Sequence, residues 1–207
     1  MTRAQKQRRQ IVAYAHNILA IYLDADNLTR AAGFEWYALE RQRCADFGRR
    51  NKLSLGAVAG AAAAISPGLR YETTFSYLSV LLRDPEGAVP TYSRANVVKA
   101  TRILNGENPL AVLGGDKVRA FYGLLSGTDP GAVVIDGHAI NIARLKISGI
   151  RSLPAAARVT PARYRLAAAA YREVADLVGV PAHAVQAATW IHWRNLITQF
   201  ERQPGED

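Results

Sequence analysis

Apolar residues recur every three to four positions along most of this chain, and that spacing predicts one helix after another. Ile11, Ala15, Ile18, Leu19 and Tyr22 mark a first helix over 3–23, with Arg3, Lys6, Arg8 and Arg9 at its front. Gly33 then predicts a break before Phe34–Arg50, whose apolar members are Trp36, Tyr37, Leu39, Cys44 and Phe47. Ser54 is placed to cap the Ala-rich run LGAVAGAAAAI, which Ser66-Pro67-Gly68 ends. So many small residues suit close packing on all sides, so this helix is expected at the centre.

Tyr71–Arg83 reads as the next helix, closed by Asp84-Pro85-Glu86-Gly87. Ser93 caps Arg94–Leu104, and Asn105-Gly106 stops it. Thr160-Pro161 opens Ala162–Val178, Gly179 closes it, and Pro181 starts a last helix to about Phe200. The longer connections are expected at 84–92 and 149–159. Val133, Val134 and Ile135 are β-branched but too few to make a sheet. The expected fold is all-α, a compact bundle of about nine or ten helices in one domain over 1–207. Within it, 1–33 form a basic helix and linker, 34–150 the core, and 151–200 the closing helices.

Composition changes the picture through charge. The apolar fraction of 49% and charged fraction of 21% suit an ordinary globular chain, but the net charge of +9 does not. Such an excess favours a polyanion, nucleic acid before a membrane surface, and no obligate protein partner is expected. A single cysteine, Cys44, excludes an intrachain disulfide framework and any metal cluster needing several thiolates. No metal and no cofactor are expected. No apolar run reaches the roughly 20 residues that span a bilayer, so the cytoplasm is the expected compartment.

The stretch from Asn108 to Arg144 is where the pattern suggests chemistry. Leu113-Gly114-Gly115 makes a turn whose glycines let another backbone approach, and the helix after it offers unpaired N–H groups to an anion. Lys117 and Arg119 add positive charge beside it. Further on, Val133-Val134-Ile135 leads to Asp136, which sits where a helix begins and so is also a natural N-cap. His138 follows two residues later.

Together these residues resemble the helix-hairpin-helix DNA glycosylase superfamily, whose pattern is Leu-Pro-Gly-Val-Gly, a basic helix, then Val-Asp-Thr-His about twenty residues on. Here the counterparts are Leu113-Gly114-Gly115-Asp116, Lys117-Val118-Arg119-Ala120 and Ile135-Asp136-Gly137-His138, with the hairpin motif over 108–126. The chain also looks like small phage-associated proteins carrying segments such as Ala64–Pro67 and Gln186–Trp190. The resemblance implies that Leu113, Gly114, Gly115, Lys117 and Arg119 hold a DNA phosphate. It implies that Asp136 is the catalytic carboxylate, with Lys117 and His138 as accompanying candidates.

Two departures narrow this. Aligned without gaps on Ala120, Val118 takes the place of the family's nucleophilic lysine, with Lys117 one residue early. One residue is a rotation of about 100° around a helix, so a strand-cleaving lysine is not implied. The hairpin reads Gly-Gly-Asp instead of Gly-Val-Gly. An enzyme acting on a base takes it out of the stack and holds it against aromatic faces. Trp36, Tyr37, Tyr71 and Tyr77 are candidate walls, and Glu40, Arg70 and Glu72 candidate readers of a base edge. The expectation is a monofunctional DNA N-glycosylase. A DNA-binding protein without catalysis, or a base-hypermodification transferase on the same fold, are the alternatives.

Overall fold

A computed structural model describes residues 1–67, 69, 71–84, 93–145 and 158–202, the last four as backbone only. These residues form ten α-helices and one turn of 3-10 helix, with no strand among them. They group into two compact units, Met1–Tyr37 with Val133–Asp207, and Ala38–Ala132. The division falls inside one continuous helix.

The first unit holds α1 (Arg3–Asp24), the start of α2 (Asn27–Asn51), α8 (Gly137–Arg144), α9 (Pro161–Val178) and α10 (Ala182–Arg202). Thr2 opens α1 with a capping box: its hydroxyl accepts from Gln5 N–H at 3.2 Å, and the Gln5 side chain accepts from Thr2 N–H at 2.8 Å. Asp26 caps α2 by accepting from Thr29 N–H at 2.6 Å. That bond chiefly holds the Asp26 carboxyl below its usual range.

The helix therefore starts at Asn27, and the break expected at Gly33 does not occur. Gly33 serves another purpose. A Cβ there would lie 2.4 Å from the backbone of Ala188, so α2 and α10 meet backbone to backbone at this point. Around this contact α1, α8, α9 and α10 pack on one another. Tyr14, Ile18 and Ile21 of α1 join Ala167, Tyr171 and Val174 of α9, Ile140 of α8 and Trp193 of α10 in one buried cluster.

The second unit is built on α3 (Leu55–Ile65), which Ser54 caps through Ala57 N–H at 3.1 Å. Every residue from Val58 to Ile65 is buried, and α4 (Thr74–Arg83), α5 (Arg94–Leu104), α6 (Pro109–Val112) and α7 (Asp116–Ser126) all pack on it. Tyr71–Thr73 form the 3-10 turn before α4. Ser93, Thr160, Gly106 and Gly179 occupy the cap and stop positions that the sequence predicts. The expected closing segment after Asp84, Gly68, and most of the 84–92 and 149–159 connections lie outside the described residues.

Two contacts fix where the hairpin sits. A Cβ on Gly60 would come within 2.8 Å of the Pro109 ring, so the start of α6 rests directly on α3. At the other end of α7, Arg41 donates from Nε and Nη2 to the Leu124 carbonyl at 3.3 and 2.9 Å. Gly127 then takes the left-handed conformation that closes the helix. The turn between α6 and α7 is thus carried on rigid elements.

Candidate nucleic-acid interface and carboxylate site

The hairpin consists of Leu113, buried beneath it, and Gly114 and Gly115, both exposed. A Cβ on either glycine would meet nothing within 4 Å, so the space above the turn is open. Gly115 is the N-cap of α7, with φ +79 and ψ 141, and offers no side chain to the helix's first amides. A Ser or Asp in that place would consume one of them. Gly115 thus leaves the positive end of α7 without a side-chain cap from its own N-cap residue. Asp116, in the first turn, is one negative charge already there.

Arg119 is exposed, and its guanidinium spans the turn, donating from Nε to Leu113 O at 2.9 Å and from Nη2 to Leu110 O at 3.2 Å. The sequence marks Arg119 as charge for a phosphate. The structure gives it a bracing task as well, one that leaves its positive charge fixed beneath the hairpin. Lys117 is half-buried on α7.

Asp136, in the first unit, caps α8: its Oδ1 accepts from Ala139 N–H at 2.8 Å. The apolar lead-in Val133–Ile135 is buried, and Tyr164 donates its hydroxyl to Val133 O at 2.7 Å. Asp136 itself is half-buried and faces phenols. Burial raises the Tyr37 and Tyr171 hydroxyls above the usual range, and the Asp136 charge adds to both. Tyr37 donates to Gln186 Oε1 at 2.8 Å, and Tyr171 bonds the Thr189 hydroxyl at 3.3 Å. His138 Nδ1 is buried without a hydrogen-bond partner among the described residues. Asp136 therefore stands in the electrostatic neighbourhood of a small group of buried polar side chains, Tyr37, Gln186, Tyr171 and Thr189, in an otherwise apolar core. The sequence reading quoted the Gln186–Trp190 segment but gave Gln186 and Thr189 no place at a site, although they are two polar residues on an alanine-rich helix.

The candidate base-binding residues divide between the units. Tyr37 is a buried core residue of the first, edge-on to Trp36 at 4.6 Å and to His183 at 5.6 Å. Trp36 is half-buried. In the second unit the structure brings Glu40, Tyr71 and Glu72 into one electrostatic neighbourhood. Arg70 lies outside the described residues. Tyr71 also packs edge-on against Phe121 and Phe75.

Glu40 is buried and accepts from Arg43 Nη1 at 2.8 Å. Burial raises its carboxyl above the ordinary 4.5; Tyr71 and Arg43 pull it back, and Glu72 pushes it up again. The neighbouring Cys44 thiol is pushed up to about 12, by burial first and Glu40 second. The folded protein therefore binds the Glu40 proton more tightly than the unfolded chain does. The stability this contributes is complete below the unfolded value and is lost as pH rises through the folded one. Glu40→Gln removes that loss. The variant's melting temperature is expected to gain on the wild type's as pH rises from about 4 to 8; parallel curves would contradict the assignment.

A cleft of about 380 Å³ also lies in the second unit, lined by Phe47, Arg50, Asn51, Phe75, Ser76 and Ser79. The sequence reading did not mark these residues as a site. Among the described residues no group of three or more His, Cys, Asp or Glu side chains could hold a metal ion. No helix among them is long and apolar enough to cross a membrane.

A family model matches residues 1–196, which reach from α1 into α10. The chain belongs to DUF7178, a family of unknown function. The DUF7178 match takes in the hairpin, Asp136 and the cleft. Comparison with curated proteins and with solved structures finds no match in either.

Proposed function

We propose that this protein binds duplex DNA through the Leu113–Gly115 hairpin and hydrolyses the N-glycosidic bond of a flipped modified or mismatched base. The observation that carries the reading is the hairpin at the start of α7: exposed glycines with open space above them, an N-cap residue that carries no side chain, and the Arg119 charge held against the turn. Backbone N–H groups at a helix start are a ready anion site, and the chain's net charge of +9 draws a polyanion toward it.

In this reading Asp136 supplies the carboxylate. As the bond between C1′ and the base nitrogen breaks, its charge steadies the cationic sugar. Water then adds hydroxide to C1′, and the departing base takes the proton. Val118 at the aligned position of the family's lysine leaves no amine for a covalent step, so the activity is monofunctional.

A second reading has its own observation. Oδ1 of Asp136 is engaged as the α8 cap, which suits a DNA-binding protein without catalysis. One experiment addresses both. Duplex affinity is measured across a salt series while free bases are quantified by mass spectrometry from duplexes carrying modified or mismatched bases. The proposal expects log Kd to change by about 0.9 per phosphate neutralised for each log unit of salt, together with release of at least one base. Salt-dependent binding without release of any base supports the second reading. An affinity that ignores salt contradicts both.

A further inference from the structure

The cleft in the second unit has a chemistry of its own. Its floor is aromatic: the Phe47 and Phe75 rings stand 5.6 Å apart at an angle of 42°, with Phe47 buried and Phe75 half-buried. Its rim is polar. Arg50 is exposed and has no carboxylate partner among the described residues, whereas its neighbour Arg49 is paired with Asp46. The Asn51 amide donates to Phe47 O at 2.9 Å, which leaves its oxygen as an acceptor. Ser79 donates to Phe75 O at 2.9 Å and keeps its lone pairs, and Ser76 is exposed.

The C-terminal end of α2 would ordinarily repel an anion. Here two of its late carbonyls are engaged, Phe47 O by the Asn51 amide and Gly48 O by the chain that follows. Leu53 N–H bonds Gly48 O at 2.9 Å around Lys52, which takes φ 57 where glycine is usual. Two exposed cations, Arg50 and Lys52, also stand at this end and offset the carbonyls that remain.

We propose that this cleft binds a single nucleotide unit, its base against Phe75 and its phosphate on Arg50. A volume of about 380 Å³ falls within the usual range for small-molecule sites. Stacking on an aromatic ring accepts any base. A guanidinium fork suits phosphate, and an amide oxygen with two hydroxyls can pair with the donors and acceptors of a base edge or sugar. The source is either a free nucleotide or a nucleotide within a single strand. The site is separate from the hairpin and extends the DNA-binding reading.

The test is a titration of the full chain with thymidine 5′-monophosphate, thymidine and the tetranucleotide (dT)4, followed by amide chemical shifts. The expected result is saturable shifts at Asn51 and Ser76–Ser79, with thymidine and the Arg50→Ala variant each at least about tenfold weaker for want of one charge-assisted contact. Ser76→Trp, which fills the cleft from an exposed position, abolishes binding. Tighter binding of (dT)4 than of the monophosphate assigns the site to a strand, and equal binding to a free nucleotide. Shifts confined to 113–117, no saturable shifts, or unchanged affinity in Arg50→Ala would overturn the proposal. Gly114→Glu distinguishes the two sites. Loss of duplex binding with nucleotide binding kept shows a cleft that works without the hairpin, whereas wild-type nucleotide binding without any duplex binding removes the hairpin reading alone.

Discussion

Asp136→Asn is expected to lower base release by about a thousandfold, the upper end of the range for losing one group that stabilises transition-state charge, while duplex affinity stays within about twofold. The substitution is informative because Asn and Asp cap helices about equally well. The bond to Ala139 N–H is kept, α8 keeps its start, and only the charge is removed. Melting temperature should therefore barely move. Asp136→Ala is the companion: it removes the cap too and costs about 1 kcal/mol of stability. If Asp136 served the fold alone, Asn would be silent in every assay and Ala would show only the stability loss. Base-release rates and melting curves on the same three proteins separate the two roles.

Gly33→Ala should destabilise the protein by about 3 kcal/mol, at the upper end of ordinary overpacking, even though Ala is the better helix former by about 1 kcal/mol. The sign turns on one distance. The new methyl would stand 2.4 Å from the N and Cα of Ala188, and backbone atoms in a helix cannot rotate aside as a side chain can. Relief requires α2 and α10 to separate, which opens a core that includes fully buried Trp193. For a chain of this size the change corresponds to a melting temperature lower by about 6–12 °C. A rise in melting temperature, the usual result at an exposed helical glycine, would show that the two helices do not meet there.

Gly33 also marks what the sequence hides. A glycine between two apolar runs looks like a boundary, and only its partner 155 positions away reveals a helix thinned for contact. Local signals were legible where the cause is local. Ser54, Ser93, Thr160-Pro161 and Gly179 bound helices because side-chain oxygens and left-handed backbone act on their own neighbours. The division inside α2 left no trace, since a continuous helix carries no turn residues at Tyr37.

The candidate site divides along the same line. Exposed glycines at the hairpin followed from the Gly-Gly pair itself, and Asp136 as a cap followed from its place before a helix. The carbonyls that hold Arg119, the phenols facing Asp136, and the buried Glu40 beside Tyr71 depend on which elements pack together. The cleft was least visible of all. Phe47 and Phe75 look like two ordinary core aromatics until α4 is laid beside the end of α2.

The most direct test of the central claim is duplex binding by Gly114→Glu. Gly114 has open space above it and a backbone that other residues adopt, so the variant should fold and melt like the wild type. The new carboxylate would stand where the phosphate is proposed to sit. The account predicts duplex affinity lower by at least about tenfold, with a salt slope smaller by about one phosphate's worth. Affinity and slope equal to the wild type's, in a protein of unchanged melting temperature, would contradict it.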